Sequence, residues 1–139
     1  MSKMPTMSPN HEFAGRLMLL LTSLGNAVEA RLAEEGVDPY VVRNTPLATL
    51  LLLRFEGPMR PSILSERVGM TTGGMTKVID QLVERGLLSR QADLLDDGRA
   101  VMVSLTRDGH GLVDRVCSST YPVLRRGADE VSQLEAMTH

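Results

Sequence analysis

Thr72, Gly74, Thr76 and Lys77 fall within one short stretch, TTGGMTK, and their types suit one kind of chemistry, the holding of a polyanion. Threonine hydroxyls and a lysine ammonium donate hydrogen bonds. Glycines in a first helical turn leave bare backbone, so the positive end of a helix dipole with its free N–H groups can approach a phosphate or groove edge closely. Each glycine in a helix interior costs about 1 kcal/mol against alanine, and the first turn is where that cost is best tolerated. Farther along, Arg99 follows Asp97 in a polar turn. A carboxylate there can hold the guanidinium by a charge-assisted fork and aim it outward, and an arginine so aimed suits a narrow minor groove. Read in isolation, Thr76 and Lys77 are equally a solvated helix face. The Asp97–Arg99 pair is equally a device that stiffens its own turn.

Other chemistries find no residues to carry them. TTGGMTK lacks the Gly-x-x-x-x-Gly-Lys-Thr order of a nucleotide loop, and there is neither a Gly-x-Ser-x-Gly elbow nor a nucleophile–base pair, so no catalytic residue is assigned and no enzyme is expected. Cys117 is alone, which excludes an intrachain disulfide and a Cys-pair zinc site. His11, His110 and His139 are scattered without ligand spacing, so neither a metal nor a cofactor is expected. With Phe13, Tyr40, Phe55 and Tyr121 as the aromatics there is no base-stacking platform of the kind single-strand binders use. The core must instead be built from Leu, Val and the nine Met.

A length of 139 residues, 42% hydrophobic and 23% charged, describes one ordinary globular domain. The net charge of −2 looks wrong for a partner of nucleic acid until it is divided along the chain. Residues 54–107 hold eight basic side chains against seven acidic ones, and the flanks are acidic. A DNA footprint would therefore rest on a few well-placed cations, doubled by dimerisation. Leu17 to Leu24 imitates a signal-peptide core. However, the apolar period continues past any cleavage point, Glu12 interrupts the basic region, and the run is too short to span a bilayer. A cytoplasmic protein without a membrane partner is expected.

The elements that must position these residues are legible from period and punctuation. Residues 1–9 are Ser-, Pro- and Met-rich and are read as disordered. Phe13, Leu17, Leu20, Leu21, Leu24, Val28 and Leu32 recur at helical steps, giving one long helix from about Asn10 to Glu35, stopped by Gly36 and Pro39. A second helix is expected from a Thr45 cap with Pro46 in its first turn to Glu56, ended by Gly57-Pro58. A third opens at Pro61 and ends at Gly69. A fourth, capped by Thr71, runs to about Arg85 and closes at Gly86, with Met75, Val78, Ile79 and Leu82 on one side. Leu87–Arg90 and Val101–Leu105 read as strands around a polar tip at Asp93–Gly98, and a further long helix starts near Gly109. Two helices joined by a short turn and followed by a hairpin make the order that holds a recognition helix on duplex DNA. That context favours the recognition reading of Thr76 and Lys77.

The run GGMTKVIDQLVERGLLSR, then Asp97-Gly98-Arg99, then Leu105-Thr106 with Gly109, resembles the multiple-antibiotic-resistance regulator (MarR) family of bacterial transcription factors. The match is close from Leu47 to Gly109 and is one of pattern only in the long flanking helices. The resemblance implies a mainly α fold with a small β-hairpin wing, that is, a winged helix-turn-helix flanked by long N- and C-terminal dimerisation helices. Residues 10–44 become the N-terminal dimerisation helix and linker, 45–106 the DNA-binding lobe and 107–139 the C-terminal dimerisation region. It further implies a homodimer on double-stranded DNA at a near-palindromic operator, with Thr72, Gly74, Thr76 and Lys77 at the groove and backbone, Arg99 at the wing tip and Asp97 orienting it. Repression relieved by a small aromatic carboxylate is also implied, with Arg16, Arg43 and Arg54 as candidates to neutralise the carboxylate. The alternative is a winged helix that binds protein partners without DNA. The chain departs from the pattern in Gly98, where many relatives carry a second Arg, and in ending soon after Leu134. It departs also at Cys117, far from the reactive cysteine of the peroxide-sensing branch and expected to be a buried interfacial thiol.

Overall fold

The computed structural model describes residues 4–92 and 101–137. In chain order these form α1 (Pro9–Glu34), α2 (Pro39–Val42), α3 (Asn44–Glu56), α4 (Pro61–Val68), α5 (Thr72–Glu84), β1 (Leu88–Ala92), β2 (Val101–Leu105) and α6 (Arg107–Ala136). The chain divides into two compact units, Met1–Glu35 with Ser119–His139 and Gly36–Ser118.

In the first unit α1 starts where Ser8 accepts a hydrogen bond from the His11 N–H and Pro9 occupies the first turn. Its side chains meet α6 closely. A Cβ at the buried Gly127 would lie 2.5 Å from a δ-carbon of Leu24, and Arg31 Nε donates to Ser119 Oγ at 3.1 Å. The apolar stripe of α1 is only partly covered, however. Leu32 is buried, while Phe13, Leu17, Leu20, Leu24 and Val28 are half-buried and Leu21 is exposed.

The second unit holds the larger core, with Leu50, Leu53, Leu64, Met75, Ile79, Leu82, Leu88 and Val103 buried. One element differs from the expected reading. Pro39 begins α2 instead of only stopping α1, because Asp38 caps it by accepting from the Tyr40 N–H at 2.9 Å. The next helix then begins at Asn44 with Arg43 in the cap position, so Thr45 lies inside α3 and does not cap it. Its carbonyl accepts from Thr49 Oγ1 at 2.8 Å. The extended ψ of Arg43, 151°, is the break that separates the two helices.

The strands pair antiparallel in the register Leu88 to Leu105 through Ala92 to Val101. Met59, in the α3–α4 connection, adds a bridge to Val103 with bonds of 2.8 and 3.0 Å. α6 carries Pro122 in its interior, which deprives the Ser118 carbonyl of its usual helical donor.

Candidate nucleic-acid interface

α4 and α5 are joined by a turn whose geometry follows from Gly69. With φ 81° and ψ 37° it occupies the left-handed region, and the N–H groups of Gly69 and Met70 both close on the Ser65 carbonyl, at 2.9 and 2.8 Å. Two residues on, the Thr71 hydroxyl caps α5 by accepting from the Gly74 N–H at 3.1 Å. From that start the helical period places Met75, Val78, Ile79 and Leu82 in the core and leaves Thr72, Gly73, Thr76, Lys77 and Asp80 on the exposed side.

Four of the residues expected to read DNA are thus gathered on one helix, though not all in the same way. Thr72, Thr76 and Lys77 are exposed; Thr76 donates to the Thr72 carbonyl at 3.0 Å and keeps its lone pairs free to accept. Lys77 has no charged partner among the described residues. Gly74 is half-buried, and a Cβ there would press on the Met70 methyl at 2.8 Å and on the capping hydroxyl of Thr71 at 3.1 Å. Its smallness serves the cap, and the open glycine of this turn is Gly73, around which a Cβ would meet nothing. Asp97 and Arg99 lie outside the described residues.

Asp80, on the same exposed side, would repel phosphate. Arg90 of β1 forms an ion pair with it, a compensation not foreseen from spacing because the two residues belong to different elements. The helices are tied together by two further pairs. Arg67 of α4 grips Glu56 of α3 by a two-pronged fork of 2.6 and 2.8 Å, and Arg85 at the end of α5 donates to Asp38 at 2.7 Å while its guanidinium sits 4.3 Å from the Tyr40 ring centre. The Arg85 hydrogen bond, then that of the Tyr40 N–H, holds the Asp38 carboxyl below its ordinary range; Arg67 does the same for Glu56. A carboxylate with a lowered folded pKa stabilises the fold at pH values above its unfolded pKa and loses that contribution as pH falls through the folded one. Acid melting of the wild type between about pH 5 and pH 3 is therefore expected to be steeper in pH than that of an Asp38→Asn, Glu56→Gln double variant, as thermal denaturation would read.

The arginines proposed to neutralise a carboxylate have separate engagements. Arg16 pairs with Glu12 on α1 at 2.9 Å, Arg54 with Asp114 at 2.9 Å, and the Arg43 guanidinium lies 5.8 Å from the Tyr40 ring centre. Cys117, expected to be a buried interfacial thiol, is exposed on α6 of the single chain. Among the described residues no helix is long and apolar enough to cross a membrane, and no group of His, Cys, Asp and Glu could hold a metal.

The MarR family model matches residues 43–101, the segment that contains α3, α4, α5 and β1. The HTH-type transcriptional regulator YcgE of Bacillus subtilis is 30% identical over 93 residues, covering 65% of this chain and 60% of its own length. YkoM of the same organism is 33% identical and is covered over 52% of its length, so this chain spans only about half to three-fifths of these two relatives. The multiple antibiotic resistance protein MarR of Salmonella typhimurium is 28% identical over 127 residues, 87% of this chain and 85% of that protein. A mutant MarR from E. coli, solved with operator DNA, superposes with a TM-score of 0.67 at 22% identity over 88% of this chain and 89% of that one. Apo wild-type MarR gives 0.67 over 98% and 96% at 20% identity. Two helices joined by a glycine turn, a hairpin that follows them and these likenesses agree: over residues 43–101 the chain is similar to the MarR family, and it has the winged helix-turn-helix fold of the solved MarR structures.

Proposed function

We propose that this protein is a sequence-specific, DNA-binding transcriptional regulator acting as a homodimer on a near-palindromic site. The observation that carries the reading is α5, whose core face is buried while Thr72, Gly73, Thr76 and Lys77, which has no charged partner among the described residues, stand together on its open side. Such a helix enters a major groove N-terminus first. Dimerisation is supported by apolar side chains that the first unit leaves uncovered, Leu19 (73% exposed) and Met18 on α1, Tyr121 (64%) and Leu124 on α6. Exposed apolar side chains on both helices suit an interface, and a two-fold interface would use each of them twice.

Two lobes related by two-fold symmetry meet half-sites about 10 bp apart or a multiple of that. A mobility-shift titration of intergenic fragments at moderate salt is expected to find at least one bound far more tightly than random DNA, with two chains per site. Equal affinity for all fragments would overturn the reading and favour a module that binds protein. In the finer reading the regulator is a repressor, Arg99 of the wing reaches the minor groove under the guidance of Asp97, and an aromatic carboxylate releases DNA by binding near Arg16, Arg43 or Arg54. Because a ligand shifts an equilibrium only by its differential affinity, compounds found by thermal shift must also displace operator DNA.

A further inference from the structure

Bounded by the start of α2, the C-terminal end of α5 and the first turns of α6 is a cavity of about 650 Å³, lined wholly by residues of the Gly36–Ser118 unit. Its volume lies in the range of small-molecule sites. Along its α6 wall Arg107, Gly111 and Arg115 succeed one another at four-residue steps and so form one stripe of the helix. A Cβ at Gly111 would meet nothing, so the middle of the stripe is open, and the two arginines stand about 12 Å apart along the axis at 1.5 Å per residue. Among the described residues neither Arg107 nor Arg115 has a hydrogen-bond or ion-pair partner. The third cation of the cavity, Arg85, is already bound to Asp38 and Gln81. Val37, Val41, Leu87 and Leu112 supply apolar lining between the charges.

We propose that this cavity binds an organic dianion, two carboxylates joined by an apolar spacer, with Arg107 holding one end, Arg115 the other, and the spacer lying over Gly111 against Leu112. Two unpaired guanidiniums call for two anionic groups, since each forms its strongest bonds as a fork on a carboxylate. Their separation and the apolar lining call for a spacer. Asp38 and Asp108 also line the cavity and disfavour a compact polyanion such as a triphosphate, whose charges would lie beside theirs. None of the α5 residues proposed for DNA contact lines it, so this binding stands or falls without the DNA-binding reading.

Calorimetric titration of the full chain with octanedioate and with octanoate tests the proposal. One octanedioate per chain is expected, with octanoate at least tenfold weaker because one arginine is left unengaged. Arg107→Gln and Arg115→Gln should each weaken octanedioate tenfold or more, and Gly111→Leu, which fills the middle of the stripe, should abolish binding with its circular-dichroism melt preserved. No heat at millimolar octanedioate, equal affinity for octanoate, or unchanged binding in the two glutamine variants overturns it. Those two side chains are exposed and have no partner among the described residues, so their variants decide the matter even where Gly111→Leu does not fold.

Discussion

Gly109→Ala is expected to destabilise the winged-helix unit by about 2 kcal/mol or more, whereas Gly111→Ala two residues away is expected to be neutral or to stabilise it by up to about 1 kcal/mol. Both glycines lie in α6 and both substitutions gain helix propensity, so the contrast isolates packing. Gly109 is buried in the first turn, and a Cβ there would fall inside the van der Waals surface of the Leu87 carbonyl oxygen and 3.1 Å from a Leu105 methyl. The Leu87 carbonyl cannot retreat without cost, because it accepts the Thr106 N–H at 3.0 Å. Thr106 is itself pinned, its hydroxyl donating to the Gly86 carbonyl at 2.6 Å and accepting from the Gly109 N–H at 3.0 Å. Overpacking a site of this kind costs about 1–3 kcal/mol, and loss of one of these hydrogen bonds adds about 1 kcal/mol. Urea denaturation of the two variants reads the difference directly; equal midpoints would mean that the junction of β1 and α6 is not the tight point described.

Lys77→Ala is expected to lower affinity for the preferred DNA on the order of tenfold to a hundredfold at physiological salt and to reduce the slope of log K against log salt by about 2. Each neutralised phosphate releases counterions worth about 0.9 in that slope, and a symmetric dimer loses two contacts at once. Lys77 is the side chain of choice because it is exposed on α5 and unpaired among the described residues, none of which competes for its charge. Lys77→Arg keeps the charge and should keep the slope. If Lys77 also touches a base edge, Lys77→Ala will in addition relax preference at one position of each half-site. An unchanged slope in filter-binding titrations across a salt series would remove α5 from the groove, whatever the affinity.

The helical face of α5, the left-handed stop at Gly69 and a strand at Val101–Leu105 were all legible in the sequence, although the burial of that strand does not alternate as its residue types do. Periodicity, capping hydroxyls and glycine stops act within four residues, and the chain carries that information locally: Thr71 reaches Gly74, and Ser65 closes on Gly69. The proposed function rests on the same local signals, since it depends on the order of elements and on which face of one helix is left polar. Tertiary structure alone decided the rest. The short helix α2 has four residues, too few for a period to show, and its cap Asp38 is held by Arg85 from 47 residues away. The pairing of Arg54 with Asp114 spans 60 residues. Arg90 neutralises Asp80 because the hairpin folds back toward α5, and Gly109 must be glycine because a carbonyl 22 residues earlier passes beneath it. Ion-pair choice and close backbone approach are set by distances through space, and a pattern of types along the chain leaves those distances open until the core has packed.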